Sequence, residues 1–239
     1  EHGVDISVKR DDCTGFAFGG NKVRQLEFYI GAAVAAGADT VLLTSAIPSN
    51  FMRTTAALAG RFGMTTHLQL EERVPDVDAL YRSNGNVLLD RLVGASFSTY
   101  PEGEDEAGAD AAVVARAAKL KASGAKPYVI PLAASHPPIG ALGYVDAAAE
   151  LVEQMDAAGS AFDAVVVASG SALTHAGLLV GLRALGRDVP VQGVAVRRDA
   201  ASQAERVARR AADLEDLLGW PHRVTAADVR VHDGALAPG

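Results

Sequence analysis

The chain has 239 residues, 49% of them hydrophobic and 21% charged, enough apolar material for one large domain or two lobes. Its net charge is −7, with Lys and Arg spread along the chain, which argues against nucleic-acid binding. A single cysteine, Cys13, excludes a disulfide framework. No apolar run approaches the roughly 18 residues of a membrane span and residues 1–12 carry no signal-peptide core, so a soluble cytoplasmic protein is the expectation.

Residues 5–11 alternate weakly and read as a strand, and residues 22–36 read as a helix stopped by Gly37. The apolar run 40–46 reads as a strand buried on both faces. "PSN" (48–50) opens a helix over 51–62, followed by a strand at 65–70, a helix at 84–94 and a strand at 96–101. The acidic stretches 71–78 and 102–110 read as solvated surface, ahead of a helix over 110–123 and a strand at 127–132. In the second half a helix over 140–159 precedes "DAVVVASG" (163–170), which reads as the clearest buried strand in the chain. A helix at 174–186, a strand at 189–196 and an amphipathic helix over 200–218 complete the pattern. Strand–helix alternation throughout means a parallel α/β architecture. The loop 131–139 reads as a junction between two lobes.

Two stretches carry chemistry. In "VVVASGSALTHAGLLVGL" a strand passes through small residues into a helix, whose first N–H groups are unpaired and attract phosphate or carboxylate. Ser169, Ser171 and Thr174 add hydroxyl donors, while Gly170 and Ala172 let the backbone approach. The turn is neither a Walker A sequence nor a dinucleotide fingerprint, and a plain βα connection is the alternative. In "FAFGGNKVRQLEF" (16–28), Lys22 opens a helix at the end where the macrodipole disfavours a cation by roughly 0.3–1 kcal/mol. The alternative is an exposed lysine. Bare backbone at Gly19 and Gly20 and apolar Phe16, Phe18, Leu26 and Phe28 favour a lowered pKa and a neutral amine, which Schiff-base chemistry needs. One such lysine and one phosphate-type turn point to pyridoxal phosphate. His67, His175 and His222 lack metal-ligand spacing, and His175 and a buried Cys13 read as structural.

The segments "VKRDDCTGFAFGGNKVRQLEF", "PSN", "NGNVLLDRL", "YVIPLAAS…GALGYVDAAAEL" and "VVVASGSALTHAGLLVGL", in this order, resemble the D-cysteine desulfhydrase and 1-aminocyclopropane-1-carboxylate deaminase family of fold type II pyridoxal-phosphate enzymes. The resemblance implies a two-lobed parallel fold, with residues 1–38 and 141–239 in an incomplete large cofactor lobe and 39–140 in a small lobe. It implies that Lys22 bonds the cofactor aldehyde beside Asn21. Ser169, Gly170, Ser171, Ala172, Leu173 and Thr174 would form the phosphate cup. Ser49, Asn50 and Phe51 fall in the loop for the substrate carboxylate, Asn50 also near the cofactor ring, and Ser49 would assist proton transfer.

The implied reaction is elimination from, or deamination of, a small amino acid to a 2-oxo acid and ammonia, by a homodimer. A β-replacement enzyme or a non-catalytic relative is the alternative. Pro48 and Phe51 stand where the family has polar residues, and Gln25 where it often has a second lysine supporting the phosphate, a loss of about 1.5–3 kcal/mol. Leu173 replaces a cup glycine, at roughly 1–2 kcal/mol if the backbone is left-handed there. By the same likeness the chain lacks the family's leading arm and its final stretch, and none of its five tyrosines matches those near the substrate.

Overall fold

A strand that is apolar at consecutive positions must be covered on both faces, and β1 (Thr40–Ala46) is. The computed structural model describes residues 3–131, 133–159 and 161–236. Val41 and Leu43 of β1 join a core built with α1 (Asn21–Ala35) and α2 (Asn50–Arg61), while Leu42 faces α4 (Glu106–Ala122) through Val113 and Ala117. This period-two division of one strand between two helix layers places β1 inside a four-stranded parallel sheet. The order is β3 (Ser96–Tyr100), β2 (Thr65–Glu71), β1, β4 (Pro127–Ile130), with Thr40 paired to Thr65 and to Pro127. The short α3 (Asn86–Leu92) precedes β3.

A second parallel sheet has the order β5 (Val165–Ser169), β6 (Val191–Ala195), β7 (Arg230–His232). α5 (Leu142–Ala157), α6 (Leu173–Ala184) and α7 (Ala200–Leu218) pack with it. α6 is mostly apolar and is buried on every side from Leu173 to Leu182, with Thr174 and His175 as its buried polar residues. α1 belongs to both neighbourhoods. Leu26, Tyr29, Ile30 and Ala33 fill the core of the first sheet, while its first turn lies against α5. There Gly143 fits so closely that an added Cβ would meet the Arg24 carbonyl oxygen at 2.0 Å.

Several sequence expectations need correction. Residues 4–10 form no strand, and Val4, Ile6 and Val8 are exposed, because alternation specifies a strand only where a sheet edge receives it. β5 is not covered on both faces: Val165 and Val167 pack inward, but Val166 is 67% exposed, since the helices lie against one side of this strand. α4 begins at Glu106, four residues before the expected start, because the Asp105 side chain caps it by accepting from the Gly108 N–H at 2.8 Å. The acidic stretch 102–110 is thus not all solvated surface, for Glu106 is largely buried and Asp110 is buried. Cys13 is exposed rather than buried, at the end of a 3-10 turn on the surface. β7 has three residues, too few for a period to register in the sequence. Leu132, expected to end the fourth strand, lies outside the described residues.

The contact of Gly143 with α1 gives a paired test. Gly143→Ala is expected to lower stability by about 1–3 kcal/mol through overpacking against backbone. Gly31→Ala, in the same helix as Lys22 but with open space around the new Cβ, is expected to raise it by about 0.5–1 kcal/mol. Urea unfolding of the two variants against the parent chain measures both.

Candidate active site

Lys22 is the second residue of α1, entered through Gly20 at φ 99°. The loop before it folds back on itself. The Gly20 N–H donates to the Asp11 carbonyl at 2.7 Å, and the Gly19 N–H to the Phe16 carbonyl at 2.7 Å. Gly19 has φ +68°, and a Cβ there would lie 2.0 Å from the Asp12 carbonyl oxygen, so only glycine fits. Asp11 is itself anchored, accepting from Arg24 (3.0 Å) and from the Tyr144 hydroxyl (2.6 Å), and Arg24 also reaches Glu150 at 2.8 Å. The opening turn of α1 is therefore fixed by its own loop and by α5.

Desolvation lowers the Lys22 pKa from 10.5 to about 8. Its Nζ stands 5.9 Å from the centroid of the Phe51 ring, which meets the Tyr29 ring edge-on at 6.2 Å and 82°. One side of the amine thus faces an aromatic wall rather than water. The positive end of the α1 dipole acts in the same direction, against the ammonium form.

Opposite this amine lies the turn from β5 into α6. Ala172, which precedes the helix, is left-handed at φ 74° and ψ −11°, a conformation that costs a non-glycine residue roughly 1–2 kcal/mol. Leu173 is already helical, so the strain anticipated at Leu173 falls one residue earlier. No side chain caps α6, and its first N–H groups have no acceptor within the helix. The Thr174 hydroxyl oxygen accepts from Asn21 Nδ2 (3.0 Å) and Gln25 Nε2 (2.8 Å), both from α1. With both lone pairs engaged, its hydrogen is left to donate. Gln25 is therefore a buried strut between α1 and α6. Ser169 is used differently, because its oxygen accepts from Gln203 Nε2 at 2.8 Å and lies 3.3 Å from His175 Nδ1. Burial pushes His175 down to about 4, which leaves this inner network neutral.

Asn21, Lys22, Ser169, Gly170, Ser171, Ala172 and Thr174 all line one cavity of about 210 Å³, joined by Ala168, His175 and Val196. Leu173 is not part of its wall, and neither are Ser49 and Asn50. Ser49 caps α2, accepting from the Met52 N–H at 3.3 Å. Asn50 is exposed, and its oxygen accepts from Arg53 (2.9 Å) and Asn86 (3.0 Å). Phe51, the next residue, reaches Lys22 through its ring. Sequence reasoning missed Val196, which directly follows β6, and Gln203 of α7, and these share no spacing with the turn they support.

An amine of lowered pKa facing an uncapped helix start across one cavity fits pyridoxal phosphate, which needs an amine for its aldehyde and donors for its phosphate. Residues 1–236 match the family model described as pyridoxal-phosphate dependent enzyme. The chain belongs to that family. It is 42% identical over 239 residues to a 1-aminocyclopropane-1-carboxylate deaminase of Methylobacterium sp. (strain 4-46), covering 98% of this chain and 70% of the relative. It is 41% identical to a D-cysteine desulfhydrase of Salmonella typhi, covering 99% and 70%. A solved structure of an ACC deaminase homologue superposes with a TM-score of 0.81 at 35% identity, over 94% of this chain and 65% of that one. O-ureido-L-serine synthase, at 18% identity and a TM-score of 0.60 over 79% of this chain and 56% of that one, shares the fold. The described residues thus have the fold type II architecture. Among them no helix is long and apolar enough to cross a membrane.

The environment of Lys22 sets a pH expectation. Below its folded pKa the amine is protonated and unreactive, so modification by a neutral aldehyde is expected to rise with pH and reach half-maximum near pH 8. Lysines on the surface of the same molecule should follow the ordinary value of about 10.4. Mass mapping of modified peptides across a pH series separates the two. A Lys22 profile that tracks the surface lysines would contradict the assigned environment.

Proposed function

We propose that this cavity holds pyridoxal phosphate and carries out elimination from, or deamination of, a small amino acid, releasing a 2-oxo acid and ammonia. The observation that carries the reading is the presence of Lys22 and the uncapped turn before α6 in the walls of one cavity. The names of the relatives at 41–42% identity support the same reaction class. When bound, the cofactor supplies an aldehyde that condenses with amines and a ring that delocalises the electrons left when a proton leaves a substrate carbon.

The chain's own residues have separable tasks in this proposal. The N–H groups at the start of α6, with the Thr174 hydroxyl, hold the phosphate, and Gly170 and Ala172 keep the approach clear. Asn21 and Gln25 orient that hydroxyl by donating to its oxygen. Lys22 Nζ, neutral for half of the molecules near pH 8, is the nucleophile that engages the cofactor and then the base that takes a proton from the substrate carbon and returns it. Phe51 and Tyr29 keep water from one side of that nitrogen. Ser49 and Asn50, on the turn that leads to Phe51, take the substrate carboxylate, with Ser49 Oγ available for proton transfer and Asn50 near the cofactor ring. The proposal includes the division into a small lobe of 39–140 and a large lobe of 1–38 with 141–239, a homodimer, and a cytoplasmic location.

The test combines colour and product. The protein incubated with pyridoxal phosphate is expected to turn yellow and to release ammonia and a 2-oxo acid from D-cysteine or 1-aminocyclopropane-1-carboxylate. Lys22→Ala should lose the covalent visible band and at least about 10³-fold in turnover, as removal of a nucleophile that is also the base requires. A protein that stays colourless in excess cofactor would refute the reading. Product that incorporates an added thiol would replace elimination by β-replacement.

A further inference from the structure

The cavity wall is poor in positive charge for an anion that carries nearly two negative ones. Among the described residues Lys22 is the one lysine or arginine in the wall, and it must be uncharged to react. His175 is held neutral by its burial. The cations lie one layer behind the cup. Arg198 donates from its NH1 to the Gly170 carbonyl at 3.2 Å, and Arg206 donates from Nε to the Ser171 carbonyl at 3.4 Å. The described residues have no cis peptide, and in a trans peptide the carbonyl and the following N–H point in opposite directions. A guanidinium on the oxygen draws electron density toward itself and makes the Ser171 and Ala172 N–H groups stronger donors on the other side.

These arginines are gathered by one carboxylate. Glu106, the first residue of α4, bonds Arg198 at 2.6 Å and both terminal nitrogens of Arg206 at 3.1 Å. Arg197 joins Glu106 at 3.2 Å and Glu104 at 2.8 Å. Three arginines meeting two carboxylates leave an excess of positive charge, and all but Glu104 are largely shielded from solvent. Desolvation first, and then repulsion from Arg206, lower the Arg198 pKa, while Glu106 acts to raise it.

We propose that Arg198 and Arg206, gathered by Glu106, are the counter-cations of the cofactor phosphate and act through the peptide groups of residues 170–172 rather than by direct contact. The proposal rests on the reading of the cavity as a pyridoxal-phosphate site. It also makes that site depend on both sheets, since Glu106 follows β3 of the first and the arginines follow β6 of the second.

Equilibrium dialysis of the cofactor-free protein against pyridoxal phosphate, and separately against pyridoxal, which lacks the phosphate, tests it. Arg198→Gln and Arg206→Gln are each expected to weaken pyridoxal phosphate by about tenfold, the scale of one charge-assisted hydrogen bond, and to leave pyridoxal binding intact. Glu106→Gln leaves both arginines without their neutralising carboxylate, so the preference for the phosphorylated form should hold or rise. Equal weakening of both ligands in both arginine variants would make the role structural and overturn the proposal. So would an unchanged preference in both, or a fall in preference in Glu106→Gln. A parent protein that binds neither ligand would instead overturn the cofactor reading itself.

Discussion

The site depends on an unfavourable placement: an amine with little water around it, at the positive end of a helix, facing the positive end of another. Desolvation and two helix dipoles all oppose the ammonium form, and the pKa of about 8 at Lys22 follows from the first of these. An arrangement that disfavours charge persists only where the surrounding structure fixes it. Here the fixing groups are identifiable. The Asp11 carbonyl holds Gly20, Asp11 is held by Arg24 and Tyr144, and Thr174 is tied to Asn21 and Gln25. An anion at the start of α6 would relieve the same electrostatic cost, so cofactor binding and the state of the lysine are coupled.

α1 is the mechanical centre of this arrangement. Its apolar face completes the core of the first sheet, its first turn rests on α5, and its two amide side chains reach α6. Gln25 illustrates how one position serves packing and chemistry together. By family likeness it replaces a cation, yet its amide nitrogen donates to the Thr174 oxygen and so leaves that hydroxyl's hydrogen to donate elsewhere. Phe51 similarly exchanges polar recognition for an aromatic wall next to the amine. By family likeness the first substitution removes a charge beside the cavity and the second a polar group. The arginines clustered on Glu106 restore positive charge at one remove.

Much of this was legible in the sequence because the signals are local. The apolar run of β1, the small-residue turn after β5 and the glycine pair before Lys22 are each contiguous, and each places a neighbouring group by backbone geometry alone. The likeness to a known family rests on several such runs in order, and the chain spans about 70% of the length of the curated relatives it matches. What escaped was set by tertiary contact. Arg197, Arg198 and Arg206 look scattered among acidic neighbours until Glu106, about a hundred residues away, collects them. Residues 4–10 alternate like a strand but meet no sheet edge, and Val166 looks like core although its face of β5 is open. Ala172 rather than Leu173 takes the left-handed turn, a choice made by where the helix begins, which composition does not reveal.

The central claim is that the Lys22 nitrogen and the turn at 169–174 serve one bound molecule. Borohydride reduction in the presence of pyridoxal phosphate, followed by peptide mass mapping, addresses it most directly. A single stable adduct on the peptide containing Lys22, suppressed by excess inorganic phosphate competing at the turn, is the result the account predicts. Adducts spread over surface lysines with Lys22 unmodified would contradict it.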